Sequence, residues 1–242
     1  MKTLTFSIRT AKEIVRDPLN IAFGLGFPVV LLLMLSAIQA NIPVSLFEIE
    51  HLAPGVAVFG LSFLTLFTAT LVSRDRESAL AKRLYTTPLT ALDFILGYTL
   101  PIIPIALAEA AVCFLLAMIL GLAPSLHILL SLLAIIPTAL LYIGLGLLFG
   151  SILGVKQVGG ICGALLTNLS AWLSGIWFDI ELVGGVFKSI ANLLPFIHAV
   201  ELERAVLVGG DGILGHLLWV LGYAIVIIAL AVFLFYRQMK KQ

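Results

Sequence analysis

The chain has 242 residues, of which 61% are hydrophobic and only 11% are charged, and its mean hydropathy is +1.17. Soluble domains carry about 25% charged residues, so a soluble core of this size is excluded. The formal net charge of +1 leaves no general basic surface that would indicate nucleic acid as a partner, so none is expected. Cys113 and Cys162 both fall in apolar runs, where two such residues provide neither a disulfide framework nor a metal site.

The first 17 residues are predicted to form an amphipathic interfacial helix. Its apolar face is made by residues at helical spacing, namely Leu4, Ile8, Ala11 and Val15. Arg9, Lys12 and Arg16 take the opposite side. Such a helix lies in the headgroup plane of the membrane, with its basic face toward cytoplasmic lipid.

Apolar runs long enough to cross a bilayer, about 20 residues each, follow this helix. We therefore predict an all-α integral membrane protein with six transmembrane helices in a single domain, residues 1–242. The predicted spans are 20–40, 52–72, 97–121, 128–153, 159–178 and 213–236.

The least apolar stretch, RESALAKRLYTTPL over residues 76–89, lies between spans two and three. Leu80 and Leu84 stand one helical turn apart, with charged residues around them. The closing Thr-Thr-Pro ends the pattern because proline disfavours helix in the residue before it. We predict a short cytosolic helix over residues 76–85.

The start of span three carries a helix-capping signal of its own. Thr90 and Asp93 have the spacing of a capping box just ahead of an apolar run. They are expected to begin the third transmembrane helix.

Residues 178–212, between spans five and six, are apolar but contain several charges. These are Asp179, Glu181, Lys188, Glu201, Glu203 and Arg204. A charge at the centre of a membrane helix costs about 2.5–3.5 kcal/mol, and Pro195 interrupts the run. We therefore predict a pair of short re-entrant helices that dip into the outer leaflet.

Basic residues report the orientation of a membrane protein because they accumulate in short cytoplasmic loops. Of the 14 Lys and Arg residues, all except Lys188 and Arg204 fall on one side of the predicted spans. This partition predicts a multi-pass protein of the cell inner (plasma) membrane with both termini in the cytoplasm.

Two polar residues lie deep within predicted spans. Glu109, near the middle of span three, is a functional-site candidate because ionisable groups are costly there. The alternative is a neutral or hydrogen-bonded glutamate that joins its helix to a neighbour. Asn168, at similar depth in span five, is a candidate partner for Glu109, with plain interhelical packing as its alternative.

Hydroxyl side chains form a stripe on span two and another on span five. They are Ser62, Thr65 and Thr68, and Thr167, Ser170 and Ser174. Small polar residues serve close helix packing, but they also suit the lining of a transport route. The residues alone leave both interpretations open.

Four features in this order resemble the membrane subunit of ATP-binding-cassette exporters of the ABC-2 type. They are the amphipathic start, RESALAKRLYTTPL, LSGIWF at 173–178 and LLPFIHAVELERAVLVGG at 193–210. The resemblance implies a half-transporter that pairs with a second permease chain, as a homodimer or heterodimer, and docks on cytosolic ATPase subunits. It also implies that spans two and five, with their hydroxyl stripes, surround the substrate pathway. The implied ATPase coupling residues are Arg76, Glu77, Leu80, Lys82, Arg83 and Leu84.

The expected function is export of an amphipathic substrate such as a drug, peptide, lipid or glycan. No G-x-x-x-x-G-K-[ST] phosphate loop occurs in the chain, so we predict no enzymatic activity and no bound cofactor, with ATP and magnesium held by the partner ATPase. A membrane-embedded enzyme is the main alternative, but the chain has neither H-E-x-x-H nor G-x-S-x-G. An ATP-independent carrier is a further alternative.

Overall fold

The computed structural model describes residues 2–18, 22–43, 47–78 and 90–239, and the regular elements in these ranges are all helices. In chain order they are α1 (Lys2–Val15), α2 (Ala22–Gln39), α3 (Ile49–Glu77), α4 (Ala91–Ile119), α5 (Leu126–Ile152), α6 (Val155–Val158, Gly159–Leu166 and Thr167–Leu173), α7 (Ile180–Val183), α8 (Gly185–Leu193), α9 (Pro195–Val208) and α10 (Ile213–Met239). The first turns of α2, Ala22–Gly26, and the middle of α6 are π-helical.

Five helices of the described ranges are long and apolar enough to cross a membrane, namely α2, α3, α4, α5 and α10. They correspond to predicted spans one to four and six, so the all-helical membrane class is confirmed. The helix at predicted span five, α6, is not among the five. Its sequence includes Lys156, Gln157 and Asn168, and these polar residues lower its hydropathy.

The predicted end of span five was wrong. The helix runs over residues 155–173 and stops before the predicted end at residue 178. Gly175 follows with φ of +71°, in the left-handed region that favours glycine and commonly ends a helix. The sequence LSGIWF therefore forms the turn that leaves α6.

The second predicted span also differs at its end. α3 continues past residue 72 to Glu77, and Ser78 caps it in an extended conformation. Arg76 and Glu77 thus form the last turn of a long helix, where the sequence predicted the start of a separate one. The remaining predicted coupling residues, Leu80, Lys82, Arg83 and Leu84, lie outside the described residues.

The predicted capping box at the start of α4 is confirmed. The Asp93 amide donates to Thr90 Oγ1 at 3.3 Å, and the Thr90 amide donates to Asp93 Oδ2 at 2.9 Å. Each side chain satisfies a backbone N–H that the first turn of a helix leaves unpaired.

α1 presents three faces where the sequence indicated two. The apolar side chains of the predicted face are largely exposed: Leu4, Ile8 and Val15. A second set packs into the protein: Phe6, Ser7, Thr10 and Ile14. The exposed apolar face is free to contact lipid, while the buried face docks α1 on the bundle.

Phe6 fixes α1 against α4 through aromatic and glycine contacts. Its ring lies edge-on to Phe94 at 5.5 Å and to Tyr98 at 5.0 Å between centroids. A Cβ added to Gly97 would lie 2.1 Å from Phe6 Cδ1, so this ring requires glycine beneath it. The interfacial helix is therefore packed directly on the start of α4.

α3 is the central helix of the bundle. In an 18-residue apolar stretch of α3, 83% of the residues are buried. The corresponding stretch of α10 has only 17% buried residues, so α10 lies at the periphery. α5 approaches α3 closely at Gly146 and Gly150, where an added Cβ would come within 2.8 Å of the backbone carbonyls of Thr65 and Ala69. This is the small-xxx-small contact by which membrane helices bring their backbones together.

At the end of the bundle away from α1, Arg204 on α9 joins two separate helices. It donates to the His51 carbonyl at the start of α3, at 3.2 Å, and to the Gly175 carbonyl after α6, at 3.1 Å. We call this the Arg204 end, and the opposite end, where α1 lies, the α1 end. The region between α6 and α10 forms three short helices, where the sequence predicted a pair, and Pro195 begins the last of them.

Candidate functional site

A polar network at the α1 end ties the interfacial helix to α3 and α4. Arg9 on α1 donates from both terminal nitrogens to the Asp75 carboxylate, at 2.9 and 2.8 Å, and the Tyr98 hydroxyl donates to Asp75 Oδ2 at 2.8 Å. The hydrogen bond to Asp75 raises the pKa of Arg9 above its usual value, opposed in part by burial. Arg9 also pairs with Glu13 on its own helix at 2.8 Å. A paired and partly buried charge of this kind holds α1 in one position.

α1 contacts the other side of the connection between α3 and α4 as well. Thr3 Oγ1 donates to Asp93 Oδ1, in the capping box of α4, at 2.6 Å. Asp75 lies in the last turn of α3 and Asp93 in the first turn of α4. The interfacial helix is therefore hydrogen-bonded to both ends of the 78–90 connection.

The two described residues of the predicted coupling segment face the α5–α6 turn. The Arg76 guanidinium donates to the carbonyls of Ser151 and Leu153 at the end of α5. Glu77 Oε1 accepts from the Val155 amide, at the start of α6, at 3.1 Å. These bonds satisfy backbone groups that helix ends leave unpaired, and they connect α3 to α5 and α6.

The predicted pathway hydroxyls are all buried within the single chain. Exposure is 0–6% for Ser62, Thr65, Thr68, Thr167, Ser170 and Ser174. Tyr142 on α5 joins the two stripes, since its carbonyl accepts from Thr65 Oγ1 at 2.8 Å and its hydroxyl lies 2.6 Å from Ser170 Oγ. Thr167 and Ser174 donate to carbonyls of their own helical segment. This arrangement suits helix packing, and a pathway role for these residues stays a prediction.

The two intramembrane polar residues are not joined to each other. Asn168 is exposed, and its side chain donates to the Ala164 carbonyl one turn earlier in α6 at 2.7 Å. Glu109 is 1% exposed, and within the described ranges neither of its carboxylate oxygens has a hydrogen-bond partner. Asn168 therefore does not serve as the partner of Glu109.

Sequence reasoning missed Asp75, Tyr98 and Glu203 as site residues. Asp75 and its partner Arg9 are 66 positions apart, so no local pattern connects them; an acidic residue between Arg74 and Arg76 was the one available signal. Glu203 is fully buried on α9 with both oxygens unpaired among the described residues, and burial raises its pKa well above the usual value.

The arrangement is that of a membrane domain in which the interfacial helix α1 is hydrogen-bonded to the end of α3 and to the start of α4. Among the described residues, no group of three or more His, Cys, Asp or Glu side chains could hold a metal ion. Comparison with protein-family models matches residues 1–208 to the ABC-2 type transporter. The chain belongs to the ABC-2 type transporter family.

Membership in this family makes the ABC-2 chain the membrane component of an ABC transport system and a multi-pass membrane protein. Its domain is the permease, and no ATPase domain was found in it. In this family a partner ATPase binds the ATP. The resemblance inferred from the sequence motifs is thus confirmed. None of the curated proteins compared with this permease matches it.

Proposed function

We propose that this permease is one half of an ABC exporter. It pairs with a second permease chain, docks on cytosolic ATPase subunits and moves an amphipathic substrate out of the cytoplasm. The family accounts for the membrane component and its ATPase partner. The direction, the substrate class and the dimer are our proposal.

One observation carries the coupling part of this proposal. α1 is hydrogen-bonded to both ends of the 78–90 connection, through Asp75 on one side and Asp93 on the other. A force applied to that connection by a docked ATPase would act on α3, the central helix, and on α4 and α1 together. We therefore assign ATPase docking to the connection over residues 78–90, which contains Leu80 and Leu84.

The sixth membrane span is assigned to α6. Its first residues bond to the end of α3 through Glu77, and the turn that follows it bonds to Arg204 beside the start of α3. α6 thus runs alongside α3 from one end to the other, and α3 is long enough to cross the bilayer. With α6 counted, both termini lie at the α1 end, which we assign to the cytoplasm from its basic residues.

The proposal also includes the hydroxyl stripes, which we expect to line a substrate route that opens when the partner ATPase binds ATP. Tyr142 joins the stripes of α3 and α6 in the single chain. If ATP binding draws α3 and α6 away from Tyr142 on α5, these hydroxyls lose their partners within the chain and become free to line a route between two permease chains. They offer donors and acceptors to an amphipathic solute without one site that holds it tightly.

Docking is tested by a charge placed at Leu84, which with Leu80 forms the apolar pair of this connection. Leu84→Asp should abolish co-purification of the ATPase while the permease still inserts in the membrane, since burying an unpaired charge in a helix contact costs several kcal/mol. Thr86→Asp, which adds the same charge just past the predicted helix, is the matched control and should retain the ATPase. Equal ATPase yield from both variants would exclude this docking site.

Export itself is tested in inside-out membrane vesicles that contain the permease and its ATPase. ATP should drive accumulation of a fluorescent amphipathic dye inside such vesicles, and an ATPase that binds but does not hydrolyse ATP should not. Uptake in right-side-out vesicles alone would reverse the direction that we propose.

A further inference from the structure

A cavity of about 290 Å³ lies between α1, α2, α3 and α4, toward the α1 end. Its walls are mainly apolar, with Leu64 and Phe67 from α3 and Ile105 from α4. Glu109 is the one ionisable side chain among the described residues that line it. Ligand sites have this composition, apolar walls with few polar groups, and this volume is near the lower end of their range of about 300–1,000 Å³.

Two glycines make room for the Glu109 carboxyl group. A Cβ added to Gly60 on α3 would lie 1.8 Å from Glu109 Oε1, so only glycine allows the group to sit there. On the other side, the Cβ position of Gly24 lies 4.0 Å from Oε2. Gly24 belongs to the π-helical turns of α2, and such turns occur frequently at functional sites. Among the described residues, the carboxyl group is thus held in place by shape and not by hydrogen bonds.

This placement is unfavourable for a bare carboxylate. Glu109 is 1% exposed and, within the described ranges, neither oxygen has a hydrogen-bond partner. An unpaired charge in apolar surroundings is costly enough that the group takes up a proton or gains a cation. The described lining residues of the cavity supply no cation.

We propose that this cavity is a binding site for a small amphipathic cation, an amine with an apolar tail. The ammonium group pairs with Glu109, and the tail lies against the apolar walls. The ring of Phe67, which also lines the cavity, adds a surface that attracts a cation over its face. An anionic ligand would be repelled by the carboxylate, and an uncharged ligand could offer it a hydrogen bond but no charge pair.

The ligand reaches this site from the lipid. Pro104 and Ala108 on α4 line the cavity and are exposed to the surroundings of the chain. Both lie in a helix that crosses the membrane, so the opening faces acyl chains. Amphipathic amines concentrate in the bilayer, where their tails are already buried.

The site is tested by equilibrium binding of radiolabelled decylamine to the full chain in nanodiscs of phosphatidylcholine, with empty nanodiscs subtracted. One saturable site per chain is expected at neutral pH. Glu109→Gln should weaken it by about 30-fold or more, since removal of one partner of a buried charge pair has an effect of this size. Unlabelled decanol, which has the same tail and no charge, should not compete.

Glu203→Gln is the matched control, because Glu203 is equally buried and unpaired among the described residues but does not line this cavity. It should bind decylamine as the natural chain does. Ala108→Phe fills the cavity from an exposed position and should also abolish binding, which keeps the test open if Glu109→Gln does not fold.

Equal binding by the Glu109→Gln, Ala108→Phe and natural chains would overturn the proposal, as would competition by decanol equal to that of decylamine. Absence of saturable binding in the natural chain would overturn it too and would leave Glu109 as a residue that carries only a proton. Binding is measured here without ATP or transport, so these outcomes leave the exporter proposal standing.

Discussion

Asp75 is the residue on which the contact between α1 and α3 depends. It accepts two hydrogen bonds from Arg9 and one from Tyr98. Asp75→Ala should lower the free energy of unfolding by about 1–2 kcal/mol, because all three hydrogen bonds are lost, two of them to the part-exposed Arg9 guanidinium. Titration with sodium dodecyl sulfate, followed by circular dichroism, measures this change.

Glu13→Ala is the control for Asp75→Ala. It removes the other carboxylate near Arg9, but that pair is exposed and lies within one helix, so a loss of only about 0.3–0.5 kcal/mol is expected. ATP-dependent transport should fall in Asp75→Ala and not in Glu13→Ala. Equal effects of the two substitutions would mean that α1 does not depend on Asp75 for its position.

Glu203 makes stability depend on pH. Burial raises its pKa well above the usual 4.5, so between that value and the folded pKa the folded chain retains a proton that the unfolded chain has lost. Stability from this group is therefore complete below pH 4.5 and falls as the pH rises toward the folded pKa. Glu203→Gln removes this loss, so its melting temperature in detergent should exceed that of the natural chain near neutral pH.

The same measurement at acid pH supplies the internal control. Near pH 4.5, the usual pKa of the group, the advantage of Glu203→Gln should shrink toward zero because both chains then carry an uncharged side chain. A constant difference between the two chains across this pH range would show that Glu203 is ionised in the folded protein.

At the scale of helices, the contact between α3 and α5 rests on small residues. Gly150→Ala would place a Cβ 2.8 Å from the Ala69 carbonyl oxygen and 3.0 Å from its Cα. The backbone of α3 must then move, and a loss of about 1–3 kcal/mol is expected. Gly222→Ala on α10 adds the same methyl group at a position where no described residue outside its own helix lies within 4 Å. It should not lower the unfolding midpoint, and a loss equal to that of Gly150→Ala would exclude close packing as the cause.

The hydroxyl stripes of α3 and α6 can be tested by cysteine labelling in a chain that lacks Cys113 and Cys162. Cysteines at Thr65, Ser170 and Ser174 should resist a membrane-impermeant thiol reagent in the resting protein, since all three residues are buried. Under the pathway proposal, labelling rises only when the partner ATPase binds ATP. Protection in every nucleotide state would mean that the stripes serve packing alone.

At the scale of the whole molecule, the proposed crossing of α6 determines on which sides of the membrane the chain's loops lie. Lys156 lies in the first turn of α6, and Lys188 lies in α8, beyond the turn that follows α6. In intact cells a cysteine at residue 188 should react with the impermeant reagent, and one at residue 156 should react only after the membrane is permeabilised. Reaction of both cysteines in intact cells would exclude α6 as a span and would reverse the parity of the termini.

Sequence by itself determined the features that depend on local composition. The membrane class and spans one to four and six follow from apolar length, which is a sum over neighbouring residues. The capping box of Thr90 and Asp93 needs only a spacing of three residues, and it was predicted correctly. The end of α6 was predicted wrongly because apolar residues continue beyond Gly175, whose positive φ ends the helix whatever the hydropathy.

Tertiary structure alone decided which side chains meet. Arg9 and Asp75 are 66 positions apart, and Thr65 and its acceptor on Tyr142 are 77 positions apart. Neither contact can therefore be predicted from the spacing of residues within one helix. The spacing of apolar residues in α1 predicted its exposed apolar face. The second face, which packs on Gly97 through Phe6, could be identified only from the position of α4 in the structure. Likewise, Glu109 was a candidate from its depth alone, whereas the glycines that hold its carboxyl group come from two other helices. Packing between helices is set by shape across long separations, and hydropathy carries no information on shape.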